Sequence, residues 1–238
     1  MSKREHFTFG GVNSLAFNIW IQKPHTENMA ERDVELITIP GRTGSLIVDH
    51  KCWKNVKLKY ELIIAGKFTD QFRALKSMML SKRGYQRLEN SFEPDVYRMA
   101  TVHEMVEAET TPYHKDGVFS VIFDSKPQRY LKSGERPVVF SEAGWLHNLY
   151  GYPAQPLIHL QYSGAGELHI GEYTVKLYDT AAGELTVDCE AMDAYRGTEN
   201  MNRLIGCDSF PVLEPGDNKI SWTGGIRQVT ITPRWWVL

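Results

Sequence analysis

The chain has 238 residues, 27 Lys+Arg against 29 Asp+Glu, and 42% hydrophobic side chains. That length suits one large or two small domains, each able to bury a core, and argues against intrinsic disorder. A formal charge of −2 supplies no electrostatic footprint for duplex DNA or an anionic membrane, partners normally met by an excess of Lys and Arg.

The densest apolar run, Leu62-Ile63-Ile64-Ala65, is stopped by Gly66 and Lys67, well short of the roughly 20 residues that cross a bilayer. The opening Met1-Ser2-Lys3-Arg4-Glu5-His6 lacks the apolar stretch of a secretory signal and predicts synthesis in a reducing cytoplasm. Cys52, Cys189 and Cys207 are odd in number and form no C-x-x-C pair, which predicts three buried thiols rather than a disulfide framework or a zinc knuckle.

In chain order, most of the sequence reads as short strands punctuated by Gly and Pro, which favours antiparallel β architecture over a parallel α/β sheet. Pro40-Gly41 presets a type II turn between two strands, since proline fixes φ at the second turn position and glycine accepts positive φ at the third. Val56 to Leu62 alternates apolar and charged residues, as a strand with one face on a core requires. Thr69 is placed to cap a helix carrying Phe72, Leu75 and Met79 at helical spacing, with Lys76, Lys82 and Arg83 toward the negative end of its dipole and Gly84 as its stop. Tyr97 to Glu107 and Val118 to Phe123 read as a hairpin joined by the connection Thr110 to Gly117.

The stretch Lys126 to Pro137 is polar, carries two prolines and lacks periodicity, the composition of a linker. It predicts domains at 1–130 and 131–238. Beyond it Ile158-Leu160-Tyr162, Tyr173-Val175-Leu177 and Leu185-Val187-Cys189 are alternating inward triplets of a β-sandwich. Gly224-Gly225, between Ile220–Trp222 and Ile226–Ile231, reads as a two-residue hairpin turn, and Gly164-Ala165-Gly166 as another tight turn between strands.

Signals for chemistry are weak. His103-Glu104 with Glu107 and His114 approaches the H-E-x-x-H pattern, but Glu107 stands where the second histidine belongs, and a strand would send His103 and Glu104 to opposite faces. Glu167, Glu172, Glu184 and Asp188 are candidates for an acid/base pair whose spacing a sequence cannot supply. Trp145, Tyr150 and Tyr152 lie in a Gly- and Pro-containing region where an amphipathic ring can stack on a sugar, and this supports an alternative reading as a carbohydrate-binding module for host surface attachment.

Several segments together resemble the distal tail protein family of long-tailed phages with non-contractile tails. They are Phe7-x-Phe9-Gly10-Gly11-Val12-x-Ser14, Ile39-Pro40-Gly41-Arg42-Thr43-Gly44, Phe123-x-x-Lys126-Pro127-x-x-Tyr130, Asn148 to Pro156, and above all Phe210-Pro211-x-Leu213-x-Pro215-Gly216-x-Asn218-x-Ile220-x-Trp222-x-Gly224 followed by Val229-x-Ile231-x-Pro233-Arg234-Trp235. Trp236 departs from the pattern, where a second basic residue often follows. The resemblance implies a mainly β protein: an N-terminal β domain with one α-helix that assembles into a hexameric ring, and a C-terminal galectin-like or carbohydrate-module-like sandwich. It implies no catalytic residue, cofactor or metal. The partners it implies are other copies of the chain, the tail tube protein, the tail tip hub protein and a receptor-binding protein, with DNA only passing through the lumen, in a virion component made in the host cytoplasm.

A closed ring needs two different complementary patches on each subunit. Edge strands of the N-terminal domain and the turn formed by Pro40, Gly41, Arg42 and Gly44 are the candidates. Trp222, Pro233, Arg234 and Trp235 are expected to close the sandwich.

Overall fold

The computed structural model describes residues 4–22, 26–110 and 116–238, the side chains of 26–27 and 106–110 excepted. The protein is mainly β, with one α-helix among the described residues, and the chain divides into two compact units, residues 1–129 with Leu238 and residues 130–237.

The first unit contains β1 (Phe7–Phe9), β2 (Ile19–Ile21), β3 (Arg32–Thr38), β4 (Ser45–Trp53), β5 (Val56–Ala65), α1 (Phe68–Ser81), β6 (Gln86–Asn90), β7 (Val96–Thr110) and β8 (Asp116–Ser125). Its main sheet runs β1-β6-β7-β8-β5-β2, antiparallel at every step. β5 shows why this sheet forms: Val56, Leu58, Tyr60, Leu62 and Ile64 are buried in strict alternation, so one face of the strand removes all its large side chains from water. Phe7, Phe9, Tyr60 and Phe123 form an aromatic cluster with ring centroids 5.2–6.0 Å apart.

Phe68, Leu75 and Met79 of α1 are buried in the same core. Phe68 and Phe72 stack at 5.4 Å, and Phe72 meets Phe119 edge-on at 5.0 Å. Gly117 permits this approach, because a Cβ there would fall 2.4 Å from the Phe68 ring. Thr69 does not cap the helix. The N-cap is Lys67, in the left-handed region at φ 51° and without a side-chain cap bond, and the preceding Gly66 amide donates to Asp116 Oδ1 at 2.7 Å. The chain is steered into the helix by tertiary anchoring of this turn instead of a hydroxyl cap. The helix also ends at Ser81, three residues before Gly84. Within the connection expected from Thr110 to Gly117, residues 111–115 lie outside the described residues, and β7 and β8 pair antiparallel on either side of them.

The second unit is built from β9 (Val138–Phe140), β10 (Gly144–Asn148), β11 (Leu157–Ile170), β12 (Tyr173–Leu177), β13 (Gly183–Asp188), β14 (Asp193–Arg196) and β15 (Gly216–Thr232). Here the hairpin expected at Gly224-Gly225 is corrected. β15 runs unbroken for 17 residues through both glycines and pairs along its length with the 14-residue β11, which likewise runs through Gly164-Ala165-Gly166. Both glycine sites are close backbone crossings: a Cβ on Gly225 would lie 2.4 Å from the Gly164 carbonyl oxygen, and one on Gly224 2.4 Å from that of Ala165.

At that pinch the pair changes neighbours. The N-terminal half of β11 pairs with β13 and its C-terminal half with β12, while β15 pairs first with β10 and then with β9. The sheet thus curls around one core that includes Ile158, Leu160, Leu168, Ile170, Val175, Val187, Ile220 and Val229. The polar segment after Lys126 is no loose linker either. Tyr130 is buried and donates to Glu190 at 3.1 Å, the Leu131 amide donates to the Trp235 carbonyl at 2.8 Å, and the Arg234 amide to that of Gly134 at 2.8 Å. Backbone bonds hold this stretch, together with the close approach that Gly134 allows, where a Cβ would fall 2.2 Å from the Trp235 nitrogen, which is why its composition looked unstructured.

Candidate assembly interface

β3 and β4 form a two-stranded sheet separate from the main one. The turn between them is built as its sequence dictates: Gly41 has φ +78°, and the Arg42 amide donates to the Ile39 carbonyl at 3.1 Å, closing a type II turn around Pro40-Gly41. Gly44 also has positive φ, and a Cβ on either glycine would meet nothing within 4 Å. Arg42 is exposed and has no side-chain partner among the described residues.

Along the ribbon the registers set the two faces, because cross-strand partners share a face and successive residues alternate. Leu36 opposes Ile47 on one face; Ile37 opposes Leu46 and Glu35 opposes Val48 on the other. Leu36 is 63% and Ile47 64% exposed, against 39% and 41% for Ile37 and Leu46. Both faces are therefore apolar and neither is covered.

The polar groups gather at the base. Arg32 bridges Asp49 at 2.9 Å and lies over the Trp53 ring, and Asp33 faces His50 at 3.3 Å and Lys54 at 3.9 Å. A hydrogen bond from the Lys51 amide, helped by Arg32, holds the Asp49 carboxyl below the usual aspartate range against a smaller opposing effect of desolvation. Cys52 sits on this ribbon and is exposed, and Cys207 is half-buried; of the three thiols expected in cores, Cys189 is the one found there. β4 has no core beneath it, so alternation on that strand does not hide its cysteine.

The other singled-out residues are scattered. His103 and Glu104 are both exposed, since the register between β7 and β8 skips from Glu104–Ile122 to Val102–Phe123 and leaves His103 unpaired in a bulge. This corrects the opposite-face expectation. The Glu107 side chain and His114 lie outside the described residues, and among the described residues no group of three metal-ligating side chains converges. Trp145 is 65% exposed on β10 opposite Lys219. Tyr150 packs on Trp235 and Tyr152 stacks on Trp236 at 4.6 Å, so two of the three rings are already engaged.

The carboxylates do not pair with one another: Glu167 neighbours His169 and Lys176, Glu184 neighbours His159, Glu172 is exposed, and Asp188 holds Arg234 through two bonds of 2.6 and 2.9 Å. Burial pushes the Asp188 carboxyl up, but the Arg234 guanidinium and the amides of Ala191 and Glu190 outweigh it and leave the group below the usual value. Arg234 reaches this position from a left-handed backbone at φ 58°, beside buried Pro233 and Trp235, and Trp222 packs at the edge of the same core. Two buried amides clamp nearby loops: Asn148 donates to the Tyr152 and Leu213 carbonyls, and Asn218 to those of Glu214 and Gly216.

The fold matches that of solved phage hub and baseplate proteins. A structure of the SPP1 Dit protein, described as a paradigm of the hub adsorption apparatus in phages infecting Gram-positive hosts, matches with a TM-score of 0.74 at 14% identity, over 98% of this chain and 100% of that one. Chains of the phage P2 baseplate in its activated conformation match with TM-scores of 0.56 at 9% identity (99% of each chain) and 0.54 at 10% identity (96% of this chain and 98% of that one). No protein-family model and no curated protein sequence matches the chain. The side chains that sequence reasoning passed over are the aliphatic pairs of the ribbon; their signal was the doublets Leu36-Ile37 and Leu46-Ile47, which make both faces of a strand apolar.

Proposed function

We propose that the chain is a structural component of a phage tail tip: a distal adaptor that closes into a hexameric ring, joins the tail tube protein to the tail tip hub protein and leaves a channel for DNA. It performs no turnover. The observation that carries the reading is the β3–β4 ribbon, apolar on both faces and covered on neither. An isolated two-stranded hairpin is marginal in water, and exposed apolar patches mark interaction sites. A ribbon of this kind is stable once it lies between surfaces of other subunits. The likeness in fold to the SPP1 Dit protein over the whole of both chains supports the tail-tip setting.

Ring closure requires two different patches per subunit; the ribbon with its Pro40-Gly41-Arg42-Gly44 tip is one, and an edge of the first unit's main sheet is the other. The ring-forming part is residues 1–130, and the sandwich is an appended module. The near-neutral charge suits a lumen through which a polyanion slides, because many Lys and Arg contacts to phosphate would hold it. The test is solution mass with negative-stain images of the purified chain and of residues 1–130. Rings with a central hole from both are expected. A strictly monomeric full-length chain would overturn the ring, and a full-length ring beside a folded monomeric fragment would move the interface into residues 131–238.

A further inference from the structure

Among the described residues β10 pairs with β15 and with no other strand, so one of its edges is open. A residue of an antiparallel strand sends its amide and carbonyl to one side, and the side alternates along the chain. The Gly171 amide, just past β11, donates to the Lys219 carbonyl at 2.9 Å, so the Lys219 backbone faces β11. Its neighbours Asn218 and Ile220 then face β10, where they oppose Leu146 and Gly144. Trp145 and His147, opposite Lys219 and Asp217, turn their amides and carbonyls away from β15 to the open edge, where no backbone partner meets them among the described residues.

The side chains along this edge lack the usual defences. Exposed strand edges are normally blunted by charged residues, proline or bulges. Gly144-Trp145-Leu146-His147-Asn148-Leu149 carries no Lys, Arg, Asp, Glu or Pro, and β10 pairs with β15 without a register shift. Leu146 and Asn148 are buried, whereas Trp145, His147 and Leu149 line the outer face, with Trp145 65% and Leu149 78% exposed. The His147 ring is held 2.6 Å from Asp217 Oδ1.

We propose that this edge pairs with the same edge of a second copy, β10 against β10 in antiparallel register about a two-fold axis at Leu146. Trp145 then opposes the partner's His147, the reverse pair forms by symmetry, and each pair exchanges both N–H···O bonds. Charge favours a copy of this chain as the occupant. In that register the outer row reads Lys219, Trp145, the partner's His147 and the partner's Asp217, with a cation at one end, an anion at the other and no like charges opposed. The contact is isologous, unlike the heterologous contact of a ring, and it lies in the second unit, so it does not depend on the ribbon. One short strand pair falls below the usual size of a stable interface, which puts the dissociation constant on the order of 0.1 mM.

Sedimentation velocity on the full chain from about 1 µM to about 1 mM brackets that value. The parent's mean mass should rise across the range, starting from the species present at the dilute end, monomer or ring. His147→Pro removes an edge donor from each copy while keeping the bonds of β10 to β15, and it should raise the concentration of half-association by about tenfold or more. His147→Ala keeps that donor and should stay within a few-fold of the parent. Trp145→Lys, a charge on the edge at an exposed position, should abolish the rise. A parent mass that is constant at every concentration would overturn the proposal and leave the edge to a strand of another protein. Association kept in His147→Pro but lost in Trp145→Lys would overturn it as well, as adhesion of an exposed ring without strand pairing. If His147→Pro melts below the parent, hydrogen exchange of the parent decides: the Trp145 and His147 amides should exchange more slowly as concentration rises, and unchanged rates would sink the pairing. The ring is read separately at the dilute end, so a chain that forms no ring must still pair, and a ring that never pairs defeats this contact alone.

Discussion

Replacing Leu36 and Ile47 with threonine strips the more exposed face of the β3–β4 ribbon of its two largest aliphatic groups while placing a β-branched residue, which favours a strand, at both positions. The two side chains oppose each other and are 63% and 64% exposed in the isolated subunit. Fully burying a side chain of this size is worth about 1.5–3 kcal/mol, so covering the exposed part gives about 1–2 kcal/mol for each, or about 2–4 kcal/mol for the pair at every subunit contact. At 1.4 kcal/mol per decade that is roughly a 30- to 700-fold weaker contact. The subunit itself should keep its melting temperature, since neither residue belongs to a core. Sedimentation velocity across a dilution series measures both species. A double variant that dissociates at the same concentration as the parent would refute the reasoning and free this face from the assembly, and a large drop in the melting temperature would mean the ribbon is already packed within its own subunit.

Three further outcomes are expected. Gly225→Val should destabilise the second unit by about 3 kcal/mol or more, because its Cβ would fall 2.4–2.6 Å from Gly164 backbone atoms; Gly151→Ala, with open space around it, should melt with the parent in the same calorimetric scan. A water-soluble thiol reagent should modify Cys52 at once, Cys207 more slowly and Cys189 only on unfolding, as burial pushes the Cys189 thiol up to about 12; mass spectrometry of labelled peptides reads the order. The Asp188–Arg234 pair should make the second unit acid-sensitive. Since the folded Asp188 pKa lies below its ordinary 3.8, the pair's stabilisation is complete above that value and is lost as the pH falls through the folded pKa, so urea midpoints between pH 5 and pH 2, a range spanning the ordinary aspartate pKa of about 3.9, should fall less steeply in Asp188→Asn than in the parent.

The sequence by itself determined the elements in which a residue's own neighbours carry the physics. Val56 to Leu62 had to be a one-sided strand because its alternation buries one face whatever lies across from it, and Pro40-Gly41 had to turn because its φ preferences are intrinsic to those two residues. The inward triplets of the sandwich were legible for the same reason.

What local sequence left open, the tertiary structure decided. Gly224-Gly225 carries the same conformational freedom in a hairpin turn as in a pinched strand, and the choice falls to the backbone of Gly164 and Ala165, brought opposite by a partner strand distant in sequence. Thr69 had the chemistry of a cap but the helix begins at Phe68, where Gly66 is tied to Asp116 of another strand. Cys52 and Cys189 are both expected in cores, yet one stands on a ribbon with nothing beneath it and the other packs in the core of the second unit. Propensity and period are properties of a segment, whereas burial, register and close approach belong to pairs of segments, and a pair exists only once the chain has folded.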